Sequence, residues 1–384
     1  MTRSWGGAAA ARKVVRGWAR GLGRWAALGV ATGIVLVACG GGGGAGEAGP
    51  APLAATSVAL GASQFTNPIV PALAPSGSAD PSVVWHDGHY HYCRVLPDGR
   101  IVIARATRLQ DIGLAPATTV WTPPAGTDHS QEVWAPELQF VQGRWVIYFA
   151  ASDGQNAHHR MHVLAADGTD PLGAWSYRGR LAPPDAADDQ WAIDGLALEH
   201  DGRLYFVWSG WRGAGDGFPQ VLYIAPMSDP WTISGPRREI AAPDRPWEQR
   251  GAPLLEGPAL VRRDGRLHLV YSASGSWTDD YTLGLLTFSG GDILDAANWR
   301  KHGEPVFTQR SGAWGPGHPA IVPSPDGRED WLVYHAIDRS AGGWAQRSVR
   351  AQPFGWTADG RPDFGQPVLP GLALAQPSGT AALP

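Results

Sequence analysis

The chain has 384 residues, 43% of them hydrophobic, enough to bury a core and within reach of one domain if the fold is an all-β repeat. Glycine (51) and proline (33) are abundant, as in chains built of many short strands joined by turns. With 31 basic and 35 acidic residues the net charge is −4, which argues against a nucleic-acid partner.

Residues 1–38 read as a lipoprotein signal peptide. Arg3, Arg12, Lys13, Arg16, Arg20 and Arg24 form a basic start without an acidic residue, and an apolar run follows at Ala26–Ala38. That run is short for a membrane span. Leu36-Val37-Ala38-Cys39 resembles the bacterial lipobox, in which Cys39 is lipidated and becomes the mature N-terminus. An ordinary signal peptide and an uncleaved anchor are the alternatives. Gly40 in place of Asp points, in a Gram-negative cell, to the outer membrane. Residues 39–62, rich in Gly, Ala and Pro, read as a flexible tether. Removing the leader leaves 25 basic residues against 35 acidic, a net charge of about −10.

From residue 63 to about 375 one phrase recurs five times: a short polar opening, an apolar run, a Gly turn and an aromatic-rich strand. The copies are ADPSVVWHDGHYHYC (79–93), APELQFVQGRWVIYFAAS (135–152), IDGLALEHDGRLYFVWSG (193–210), EGPALVRRDGRLHLVYSAS (256–274) and GHPAIVPSPDGREDWLVYHA (317–336). Their turn glycines, Gly88, Gly143, Gly202, Gly265 and Gly327, are 55 to 63 residues apart. A fixed period of this kind marks a repeat architecture. Each unit is two strands around a tight turn with room for two more, which predicts an all-β, five-bladed β-propeller. Residues 376–384 form a C-terminal tail.

The openings matter more than the strands. Aligned on the turn glycine, Asp80, Ala135, Asp194, Glu256 and His318 fall at equivalent positions. The first strand of a blade lines the channel, so three carboxylates and a histidine should ring one mouth. Asp before Pro or Gly is also ordinary turn chemistry. Three acids in phase with the repeat are harder to explain that way, because converging charges cost stability unless something uses them.

Other residues invite duller readings. With Cys39 lipidated, Cys93 is left without a disulfide partner and reads as a buried apolar residue in the second strand of the first repeat. His158, His159 and His162 lack zinc-ligand spacing and read as hydrogen-bonding groups. Most of the 19 tryptophans should pack between blades, with Trp121, Trp134, Trp211 and Trp277 as candidates to stack on sugar rings.

Seven phrases in register, NPI…ADP (67–81), VWAPEL (133–138), WAIDG (191–195), EGPAL (256–260), GPGHPAIVPSPDG (315–327), YHA (334–336) and QRSVRAQPFGW (346–356), resemble glycoside hydrolase family 43. HHRMHVLAADGTDPLGAW (158–175), YFVWSGW (205–211), PWEQRG (246–251) and YSASGSWTDDYTLGLL (271–286) are similar to its exo-acting α-L-arabinofuranosidase branch. The resemblance implies an inverting hydrolase that releases terminal L-arabinofuranose from arabinan or arabino-oligosaccharides. A β-xylosidase, an endo-arabinanase and a tethered sugar-binding propeller without catalysis remain the alternatives. It also implies roles: Asp80 as base, Glu256 as acid, and Asp194 as the group that raises the acid's pKa. Trp134, Glu137 and Arg347 would contact or support the substrate. No cofactor is required, although in many relatives the histidine matching His318 lies beside a channel-bound calcium.

Overall fold

The predicted turns organise the blades. In the computed structural model, Asp87-Gly88, Gln142-Gly143, Asp201-Gly202 and Asp264-Gly265 all have positive φ at both residues, the geometry of a two-residue type I′ hairpin. Such a turn matches the right-handed twist of its flanking strands, and Asp and Gly tolerate it best. The fifth blade instead uses a six-residue connection between Trp314–Pro323 and Asp330–Ile337. The structure describes residues 63–215 and 217–381. The signal peptide, Cys39 and the tether lie outside the described residues. The chain divides after Thr56, and the described residues belong to the compact unit that follows.

Each blade is an antiparallel sheet from one contiguous stretch. The first strands are Ser82–His86, Gln131–Val141, Ala192–His200, Leu255–Arg263 and Trp314–Pro323. Each pairs with the next strand in sequence, and the third and fourth strands follow outward. In the third blade, Gln220–Asp229 pairs with two short strands, Thr232–Ile233 and Arg238–Ala241. The ring is stitched closed where Gln64–Thr66 pairs with Ala373–Ala375. Nearby, the Asn67 amide donates to the Ala351 carbonyl and accepts from its N–H, both at 2.9 Å.

The core is divided among the blade interfaces. Tyr148, Phe206, Trp208 and Met161 pack between blades two and three; Leu255, Tyr271, Leu222 and Trp299 pack between three and four. Cys93, Trp145 and Phe149 fill the interface of blades one and two, and Cys93 is fully buried, with its thiol pushed well up by that burial. Blades four and five meet at Phe307 and Tyr334, and blades five and one at Trp331 and Tyr90. Among the described residues no helix is long and apolar enough to cross a membrane.

Candidate active site

The channel mouth is built on a repeated backbone kink. Asp80, just before the first strand of blade one, and Ala135, Asp194 and His318, inside the first strands of blades two, three and five, have left-handed φ of 48°, 40°, 53° and 52°. For residues other than glycine this conformation costs about 1–3 kcal/mol each and persists where surrounding structure imposes it. In blade four the left-handed residue is Gly257, φ 53°, so the backbone equivalent of Asp80 and Asp194 is Gly257. Glu256 stands one residue earlier. The expected equivalence of Glu256 is therefore corrected by one position, and the acid enters the ring from a different backbone direction. A β-carbon on Gly257 would lie 3.0 Å from His318 Nδ1, which leaves little room for a side chain there.

The ring residues do converge. His318 Nε2 donates to Glu137 Oε1 at 2.7 Å, while its Nδ1 lies 3.4 Å from Asp80 Oδ1 and 3.9 Å from Asp194 Oδ2. Asp194 Oδ2 accepts from the Gly257 N–H at 3.0 Å, tying blade three to blade four. Arg347 Nη1 lies 3.4 Å from Asp80 Oδ1, which places it beside a ring carboxylate. Glu137 holds His318.

Electrostatics divide the acids into two kinds. Burial opposes ionisation of Asp80, yet Arg347, His318 and His335 outweigh it and hold the carboxyl well below its usual range. Asp194 and Glu256 go the other way. Burial raises both, and Asp194 raises Glu256 further through its negative charge. The two titrate as a pair, so the proton they retain belongs to both. Burial disfavours charge on His318, but Asp80, Glu137 and Asp194 together push it up to about 10. It is an imidazolium at neutral pH.

That state bears on calcium. Both ring nitrogens of His318 are engaged within the ring, Nε2 by Glu137 at 2.7 Å and Nδ1 facing Asp80 at 3.4 Å. Among the described residues no group of three or more His, Cys, Asp or Glu side chains is arranged to hold a metal ion. Calcium also prefers oxygen ligands. The donor set does not fit an ion held by His318.

The aromatic candidates separate. Trp134 stacks on His159 with ring centres 3.7 Å apart, and His159 is locked by bonds to the carbonyls of Asn156 and Glu132, each 3.0 Å. Trp277 stands edge-on to Trp344. Trp211, by contrast, is buried and covered by Trp191 at 4.8 Å, and Trp121 packs on Phe149 between blades. Neither presents a face to a sugar, because the large apolar ring is worth more inside the core. His158 and His162 bond to Asp153 and Tyr177, in keeping with the reading as hydrogen-bonding groups.

Two residues of the site escaped the sequence reading. His335 is fully buried, with Nδ1 at 3.2 Å from both the amide nitrogen and Oδ1 of Asp80, and burial lowers it to about 4, so it is neutral. Tyr281 donates to Glu256 Oε1 at 2.9 Å. Both lie within the phrases that carry the family resemblance, YHA and YSASGSWTDDYTLGLL. Phase with the ring could not find them, since they sit in the second strand of blade five and just before the third strand of blade four.

The model of the family described as Glycosyl hydrolases family 43 matches residues 65–362. An extracellular exo-alpha-(1->5)-L-arabinofuranosidase of Streptomyces avermitilis is 38% identical over 334 residues, covering 84% of this chain and 67% of that protein. Alpha-L-arabinofuranosidase 43 of Humicola insolens is 38% identical over 304 residues, covering 76% of this chain and 62% of that protein. The chain thus spans about two thirds or less of the length of these two relatives. The crystal structure of an alpha-L-arabinofuranosidase from Lactobacillus brevis aligns with a TM-score of 0.72 and 33% identity over 79% of this chain and 97% of that one. With five blades, a convergent acid ring and a family match across nearly the whole propeller, the chain belongs to glycosyl hydrolases family 43.

Proposed function

We propose that this protein is an inverting, exo-acting α-L-arabinofuranosidase that releases terminal arabinofuranose from α-1,5-linked arabinan and arabino-oligosaccharides. The observation that carries the reading is the split among the ring acids: Asp80 is held ionised while Glu256, beside Asp194, is held protonated. Inversion requires that division, with one carboxylate to activate water and one carboxylic acid to protonate the leaving oxygen. The contacts of Arg347, His318 and His335 with Asp80 all fall on Oδ1, so Oδ2 is the oxygen suited to accept a proton from water. Glu256 then gives its proton to the departing sugar oxygen, and Asp194 keeps that proton in place up to neutral pH. His159 covers one face of Trp134, which makes the opposite face a platform for a sugar ring.

The similarity to relatives named as exo-acting arabinofuranosidases supports the substrate. Basic and apolar leader segments ending in Leu36–Cys39 support export with a lipid anchor at Cys39. Several acyl chains would hold such a protein stably on a membrane, where a single chain binds only marginally.

Chromatography of products from a long linear arabinan tests the function. Arabinose should appear from the first minutes without a ladder of mid-length oligomers. An early ladder would mean endo action, and release of xylose from xylosides in preference to arabinose would place the chain with the xylosidases.

A further inference from the structure

Tyr281 is enclosed on every side that matters. Its ring lies parallel to that of His335, with centres 5.5 Å apart and planes 2° from coincidence. A β-carbon on Gly317 would come within 2.1 Å of the ring, so the phenol rests directly on the backbone preceding His318. The side chain is fully buried, and its hydroxyl meets Glu256 Oε1 at 2.9 Å. Ser272 faces the phenol oxygen and accepts the His318 N–H at 2.8 Å, so its own hydroxyl hydrogen can turn to the phenol. That donation would direct the phenol hydrogen at Glu256.

We infer that Tyr281 is a positioning residue for the general acid, fixing Oε1 of Glu256 so that the transferable proton resides on Oε2. The inference rests on the reading of Glu256 as the acid. As the proton leaves Oε2 for the departing sugar oxygen, negative charge grows on the carboxylate. A hydrogen bond to an ionised acceptor is roughly twice as strong as one to a neutral acceptor, so the phenol bond tightens in the transition state. An interaction that strengthens only there acts on kcat and leaves KM alone. The same aromatic stack joins acid and base, since His335, on the far face of Tyr281, holds Asp80.

Tyr281→Phe keeps the ring and its packing and removes only the hydroxyl. With α-1,5-linked arabinobiose, kcat should fall about 10- to 100-fold while KM stays within about 2-fold. With 4-nitrophenyl α-L-arabinofuranoside, whose leaving group needs little protonation, the fall should be under about 3-fold. Equal losses on both substrates, or no loss on either, overturn the inference. Glu256→Gln is measured alongside on the same pair. If Glu256→Gln discriminates between leaving groups and Tyr281→Phe does not, the positioning role alone fails. If Glu256→Gln does not discriminate, the acid assignment fails first. Should Tyr281→Phe not fold, 3,5-difluorotyrosine placed at position 281 preserves the shape and makes a stronger donor. It should raise kcat for arabinobiose about 2-fold at acidic pH and leave the aryl substrate unchanged; an unchanged arabinobiose rate overturns the inference.

Discussion

His318 and Glu137 meet across the channel, with Nε2 donating to Oε1 at 2.7 Å and joining the first strands of blades five and two. The bond makes a buried cation the centre of the ring, facing Asp80 and Asp194 from its other nitrogen. Without that charge Glu137 and Asp194 would lose their cationic partner, and Asp80 would keep only Arg347.

Stability should therefore depend on His318. Removing one partner of a buried ion cluster leaves uncompensated charge, so His318→Ala should lose about 3 kcal/mol in denaturant unfolding. The pH dependence has a fixed sign. The folded pKa of about 10 lies above the unfolded value of about 6.5, so the contribution is full below about 6.5 and is lost as pH rises through about 10. Asp194 and Glu256, raised in the folded state, add the same sign above the ordinary carboxylate range. Wild-type stability should fall over that alkaline window more steeply than that of His318→Ala. Parallel slopes for the two proteins would contradict the cluster.

Asp80 and Glu256 should fail differently. Glu256→Gln should lose about 10²–10⁴-fold on arabino-oligosaccharides and much less on activated aryl glycosides. Asp80→Asn should suppress both, since water must be activated whatever the leaving group. A variant pair with identical losses on both substrates would undo the division of roles.

The alkaline limb of kcat/KM reports the acid. Burial and Asp194 raise Glu256, so this limb should lie more than one unit above the ordinary glutamate value of about 4.3. Asp194→Asn removes the like charge and should move the limb downward. Movement upward would show that Asp194 does not act on Glu256 through its charge.

Stereochemistry gives an independent check. If a water fits between the two carboxyl groups, they should stand roughly 6.5–9.5 Å apart and the first product should carry inverted anomeric configuration. Proton NMR before mutarotation reads this directly; retained configuration would rule the mechanism out.

For the leader, Cys39→Ser should leave the protein unprocessed or release it from the membrane fraction. Unchanged mass and unchanged fractionation would remove lipidation from the account.

The sequence by itself determined the fold and half of the site. Its turns carried the blade count, because a hairpin is set by residues adjacent in the chain: Asp-Gly and Gln-Gly pairs adopt positive φ locally, whatever lies around them. Phase with those turns, to within one residue, was enough to bring Asp80, Asp194, Glu256 and His318 to one mouth. Three things were decided only in the tertiary structure. Glu256 stands nine residues before its turn glycine, where Asp80 and Asp194 stand eight before theirs; that it sits beside the left-handed Gly257 and still feels the charge of Asp194 was settled by the fold. Trp211 went into the core while Trp134 was braced by His159, a choice made by packing between blades. Ionisation was settled last. Asp80 and Glu256 are both acidic residues at strand openings, and what separates them is that Arg347 and His335, about 260 residues downstream in the chain, close on Asp80, while burial and Asp194 act on Glu256. A charge's fate depends on its neighbours in space, and in a ring closed by its last blade those neighbours come from the opposite end of the sequence.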